Sequence, residues 1–261
     1  MKRGKHVIYA LMLAWHAACG QSIATSAGSA VNTEFCVVFA LYPGVTQLDF
    51  TGPYEVFTRL PDARCLLASV GGGRIAAGGM VFDDVRRLGE IEQCSLLCVP
   101  GGFGTVAALT DARYLDEVHR FARTARYVTS VCTGSLLLAA AGLLTGRRAA
   151  CHWAWRDALS AFGAIPDPAR VVRDGNVITG GGVTAGIDMA LTVMGEIAGP
   201  DYAETVQLAI EYAPAPPFGS GRAEQARPEI IAAARKGLDA VRAERDAAVR
   251  RAAEALRAPP A

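Results

Sequence analysis

The apolar positions of this chain fall in short, dense runs, and most of the runs end on glycine or proline. Glu34 to Leu41, Arg64 to Val70, Ser95 to Val99 and Tyr127 to Val131 are crowded with apolar, β-branched and aromatic residues, the pattern of buried strands. Arg74 to Val81 reads as a further short strand after a glycine turn. Arg170 to Thr179, with Asp174-Gly175 at its centre, reads as a hairpin. Helical segments lie between these runs. Pro53 marks a first helical turn with Thr51 as its cap, Asp111 to Arg126 is amphipathic, and Trp153 to Phe162 is short. Ile187 to Ala198 and Tyr202 to Ala213 follow. Strands alternating with helices across short turns predict an α/β domain with a mostly parallel sheet.

The ends of the chain break this rhythm. Residues 1–33 combine a basic start at Lys2, Arg3 and Lys5, an apolar run from Val7 to Ala18, and small and polar residues from Gln21 to Ser29. That is the three-part shape of a secretory signal, which predicts export to the periplasm. The alternative is a start placed too far upstream, with a cytoplasmic protein beginning near Val31. The α/β domain is expected over 34–220, and a charged helical tail over 221–261. The tail is rich in Ala, Arg and Glu, the composition of a solvated helix face or of an arm packed against a partner subunit.

At 261 residues, half of them hydrophobic, the chain can bury a sizeable core. A formal net charge of +1 gives no electrostatic case for nucleic acid. No run approaches the ~20 apolar residues of a membrane span. Seven cysteines without Cys-x-x-Cys spacing, and histidines only at 6, 16, 119 and 152, leave little material for a metal site. Cys36, Cys65, Cys94, Cys98 and Cys151 read as core residues.

Candidate chemistry concentrates on Cys132. A strand ends there and a Leu- and Ala-rich helix begins at once, closed by Gly142. This is the shape of a nucleophile elbow with Cys in place of Ser, and the helix start is expected to favour the thiolate. The plainer account is a small buried hydrophobe. Asp49, expected in the loop after the first strand, would reach the same end of the sheet; the plainer account is a helix-capping aspartate. The glycine loop Pro100-Gly101-Gly102-Phe103-Gly104 can bring bare N–H groups to a reacting atom. Thr133 either orients thiol or water or simply starts the helix. His152, beside Trp153, reads as a pocket wall or a base.

Tyr42-Pro43-Gly44, Leu48-Asp49-Phe50-Thr51-Gly52-Pro53, Val99-Pro100-Gly101-Gly102, Val131-Cys132-Thr133-Gly134-Ser135, His152-Trp153, Thr179-Gly180-Gly181-Gly182-Val183-Thr184-Ala185-Gly186 and Glu211-Tyr212-Ala213-Pro214 occur in that order. Together they resemble the ThiJ/PfpI superfamily, of the class I glutamine amidotransferase-like fold, and within it the isonitrile hydratase branch. The resemblance spans about Phe35 to Phe218. It implies a flavodoxin-like three-layer sandwich and a homodimer acting on a small molecule. It implies a hydratase that needs no cofactor, with Cys132, Thr133 and Asp49 as the functional residues. Gly101, Gly102 and His152 are the expected substrate- or oxyanion-binding positions. PfpI-type peptidases carry His after the cysteine, where this chain has Thr133, and glyoxalase and deglycase branches place Glu where it has Asp49. The N-terminal extension, the long tail and Phe103 depart from the hydratase pattern. Two other readings remain open: a ligand-binding domain like the sensor half of a transcriptional regulator, and a redox-sensing thiol protein.

Overall fold

The computed structural model describes residues 35–258, so the signal-like segment 1–33 lies outside the described residues. An eight-stranded sheet runs in the order β3-β4-β2-β1-β5-β6-β10-β9. Its members are β1 (Phe35–Ala40), β2 (Ala63–Ser69), β3 (Gly73–Ala77), β4 (Met80–Arg87), β5 (Leu96–Val99), β6 (Tyr127–Val131), β9 (Val171–Asp174) and β10 (Val177–Gly180). A two-stranded ladder, β7 (Arg148–Ala149) with β8 (Ile165–Pro166), stands apart. The inner strands from β4 to β10 pair in parallel, and only the edges, β3 and β9, are antiparallel. β5 and β6 are buried at every position, as continuous apolar runs require in a sheet covered on both faces.

Helices cover both faces and make three layers. On one side α1 (Gln47–Phe57), α5 (Ala185–Ala198) and α6 (Pro200–Ala209) pack together. On the other lie α2 (Thr105–Ala108), α3 (Ala112–Ala122), α4 (Gly134–Ala140) and a 3-10 segment, Arg156–Phe162. The region from Arg74 is two strands rather than one, because the Gly78-Gly79 pair, both at positive φ, folds it into a hairpin. α1 starts at Gln47, six residues before Pro53, so Thr51 is not its cap and Asp49 sits in its first turn rather than in a loop. Pro53 is tolerated inside the helix at the cost of one N–H, the donor that Asp49's carbonyl would otherwise receive.

The tail is α7 (Pro228–Lys236) and α8 (Asp239–Arg257). α7 buries no residue. α8 buries Ala248, Val249, Ala252 and Ala253 against its own domain, beside α2, α4 and the 3-10 segment. The arm thus packs in cis. Arg245, whose side chain is only 14% exposed, donates to the carbonyl of Ala154 (3.1 Å), and its guanidinium lies 5.2 Å from the Trp155 ring centroid.

Candidate active site

The chain leaves β1, visits β2 to β4 on one side, and returns to β5 on the other. The crevice at such a switch point, at the carboxyl ends of the strands, is where open α/β sheets build sites. Here Asp49 follows β1, Gly101 and Gly102 follow β5, and Cys132 follows β6. Cys132 holds φ +60°, left-handed backbone that costs a non-glycine residue about 1–2 kcal/mol. Its N–H donates to the Gly180 carbonyl (3.1 Å), and β6 is paired on both edges, so the elbow is pinned from either side. Gly134 is obligatory just beyond it: a Cβ there would lie 2.1 Å from the Val99 carbonyl oxygen.

Asp49 is fully buried. Its Oδ2 accepts from the Gly101 N–H (2.9 Å), and its Oδ1 has no hydrogen bond. Burial raises the carboxyl to about 7, against the smaller opposing pull of the Gly101 N–H and the Cys132 thiol. Cys132 is 5% exposed, and its thiol is also pushed up, first by burial and then by the charge of Asp49, with the Thr133 N–H pulling the other way. This corrects the expected thiolate: at this helix start the loss of water and a facing carboxylate outweigh the dipole. The pair therefore gives up its first proton from the carboxyl.

Thr133 is not a side-chain cap. Its hydroxyl accepts from the Gly102 N–H (2.9 Å) and shares a hydrogen bond with Thr105 (2.8 Å), which shares another with Tyr42 (2.9 Å). The glycine loop corrects another expectation. The N–H groups of Gly101 and Gly102 are committed to Asp49 and Thr133, so here they position those side chains rather than stand open as an oxyanion hole. Gly101 must lack a side chain, since a Cβ would lie 2.4 Å from the Thr133 nitrogen and 2.9 Å from Asp49 Oδ2.

Of these groups Gly102, Cys132 and Thr133 line a cavity of about 110 Å³, while Asp49 stays fully buried outside its lining. Thr46, Cys132, Thr133 and His152 give it a polar side, and Phe103, Trp155, Val183 and Leu238 an apolar one. Burial lowers the His152 pKa, and its Nδ1 faces the Ala154 N–H at 3.4 Å, which leaves the ring proton on Nε2. His152 is thus a wall residue with a donor rather than a charged group. A larger groove, of about 550 Å³, between α3, α4 and α8 contains no thiol and shares no residue with this cavity.

Asp188 is tied to Arg170 (2.9 Å) and Tyr212 (2.8 Å) and serves the fold. None of the six described cysteines forms a disulfide. Among the described residues no three His, Cys, Asp or Glu side chains gather as a metal group, and no helix is long and apolar enough to cross a membrane. Thr105, Trp155 and Leu238 were not singled out by sequence, and Tyr42 only as part of a motif, not as a site residue. Tyr42 had a signal, since it opens the Tyr-Pro-Gly turn; the other three sit in segments whose periodicity carries no chemistry.

Comparison with known proteins identifies the family and the fold. The chain is 50% identical over 201 residues to an isonitrile hydratase of Pseudomonas putida, covering 76% of this chain and 87% of that one. It is 30% identical over 211 residues to the HTH-type transcriptional regulator CdhR of Pseudomonas aeruginosa, covering 77% of this chain and 60% of the regulator. The crystal structure of a ThiJ/PfpI family protein from Pseudomonas syringae superposes with a TM-score of 0.77 at 37% identity, over 89% of this chain and 98% of that one. The model of the DJ-1/PfpI family matches residues 36–196, from β1 through the elbow to α5, and the chain belongs to that family.

Proposed function

We propose that the chain is an isonitrile hydratase, adding water to R–N≡C to give the N-substituted formamide R–NH–CHO. The observation that carries the reading is a fully buried carboxyl, Asp49, interacting with a thiol, Cys132, that lines a cavity, with one carboxyl oxygen unbonded. The identity to the Pseudomonas putida enzyme supports it.

The carboxyl titrates before the thiol, so near neutral pH the reactive form is Asp49 carboxylate facing Cys132 thiol. As sulfur bonds to the terminal isocyanide carbon, Asp49 takes the thiol proton and passes it to that carbon. The product is a thioimidate, R–N=CH–S–Cys132. Water then adds across the C=N bond, with Asp49 as its base and the nitrogen receiving a proton. The C–S bond breaks, its electron pair returns to sulfur, and the hydroxyl proton returns to the pair, releasing the formamide. In this reading His152, which lines the cavity, donates its Nε2–H to the substrate nitrogen. Thr133, fixed by Gly102, holds its hydroxyl beside the thiol's backbone. No cofactor enters these steps.

The test is formamide formation from cyclohexyl isocyanide, followed by chromatography, with wild type and Cys132→Ala side by side. Product from the wild type alone is expected. No product from a folded wild type whose Cys132 still alkylates would overturn the hydratase reading and favour the sensor reading suggested by the likeness to CdhR.

A further inference from the structure

One wall of the thiol cavity does not come from the sandwich. Leu238, at the junction of α7 and α8, reaches it from the C-terminal helices. It lines the cavity with Trp155, and the same two residues line a second cleft of about 150 Å³ with Arg235, Arg242 and Arg245. Leu238 and Trp155 are therefore a partition between the thiol cavity and a polar cleft that also carries Asp157 and Asp239. The partition is held on both sides. Trp155 is buried and lies under the Arg245 guanidinium, while Arg245 also bonds the Ala154 carbonyl. Leu238 donates its N–H to the Arg235 carbonyl (2.8 Å) and accepts from the Val241 N–H (3.2 Å), which fixes the bend between the helices.

At about 110 Å³ the cavity is far smaller than the roughly 300–1,000 Å³ of sites for drug-sized ligands. Its apolar side offers no partner to a charged or hydrogen-bonding substituent. We propose that Leu238 is a specificity-determining residue that closes the cavity against the cleft, restricting substrates to isocyanides with compact, apolar N-substituents. The substrate class rests on the hydratase reading; the partition does not. Shortening Leu238 joins the cavity to the cleft, so the space gained exceeds the atoms removed.

The experiment compares wild type, Leu238→Ala, Leu238→Trp and the volume-conserving Leu238→Met, each checked for a native melting transition. The first readout is kcat/KM for 1-adamantyl isocyanide relative to cyclohexyl isocyanide. A methylene's worth of apolar room discriminates by about 10–200-fold. Leu238→Ala is thus expected to raise the ratio about tenfold or more, Leu238→Trp to lower it, and Leu238→Met to leave it near wild type. The second readout needs no isocyanide turnover: the rates at which N-phenylmaleimide and iodoacetamide label Cys132, followed on its peptide by mass. Their ratio is expected to move with the same signs. A labelling ratio that shifts while the wild type turns over no isocyanide keeps the partition and discards the substrate class. An unchanged isocyanide ratio in active, folded Leu238→Ala, or an unchanged labelling ratio in all three variants, overturns the proposal.

Discussion

Replacing Asp49 with asparagine separates what this residue does for chemistry from what it costs the fold. The carboxyl is buried, keeps one oxygen unbonded, and titrates near 7 rather than at the ordinary 3.8. Between those values the native state binds a proton that the unfolded chain has released. The contribution of Asp49 to stability is therefore greatest below about pH 4, falls as pH rises, and is wholly lost above about 7. The interval corresponds to about 4 kcal/mol, a large share of a domain's usual 5–15 kcal/mol. Asparagine keeps an acceptor for the Gly101 N–H and stays neutral at every pH, so it mimics the protonated carboxyl. Urea unfolding of wild type and Asp49→Asn at half-unit steps from pH 4 to pH 8 should give curves that diverge by about 4 kcal/mol across the range, with the variant the more stable at pH 8. An offset at pH 4 reports the unpaired amide donors and cancels from the divergence. Cys132 ionises above this window and does not contribute. Parallel curves, or a variant that loses stability as pH rises, would refute the buried, high-titrating carboxyl.

The same carboxyl sets the pH dependence of turnover: kcat/KM for an isocyanide should rise through about pH 7 and then level off, and a profile rising only above pH 9 would mean that the thiol ionises unaided. Gly101→Ala drives a methyl into Thr133 and Asp49, so activity should drop at least 100-fold, with a loss of roughly 1–3 kcal/mol in urea titrations; an active variant would show that the loop gives way. Thr133→Val keeps the shape but leaves the Gly102 N–H buried without an acceptor, which should cost about 1–3 kcal/mol, measured by chemical denaturation.

The fold was legible because this sheet is buried on both sides. Runs such as Phe35–Ala40 and Leu96–Val99 have no polar face to confuse with loops, and each ends in a glycine turn that marks the carboxyl edge. The elbow was legible for a related reason, since the change from β-branched to Leu- and Ala-rich residues falls on Cys132 itself. The state of the thiol was not. A helix start suggests a lowered value, and only the tertiary packing that buries Cys132 against Asp49 reverses it. Pro53 misplaced the start of α1 because proline favours a first turn, whereas here it packs mid-helix, its Cδ 3.1 Å from where a Cβ on Gly186 would stand. The tail's inward stripe of Ala248, Val249, Ala252 and Ala253 is made of small residues among arginines, too weak a periodic signal to tell a docked helix from a solvated one.

That docked tail gives occupancy of the site a mechanical readout. A molecule that touches Leu238 in the cavity gains affinity from the closed arrangement of α7 and α8, and by reciprocity it must hold those helices down with the same free energy. The segment carries Arg235, Lys236 and Arg242, each a cleavage point for trypsin once the backbone lifts away. Digestion at these bonds should slow when the cavity is filled, so the protease would act as a gauge of binding even for compounds that never react.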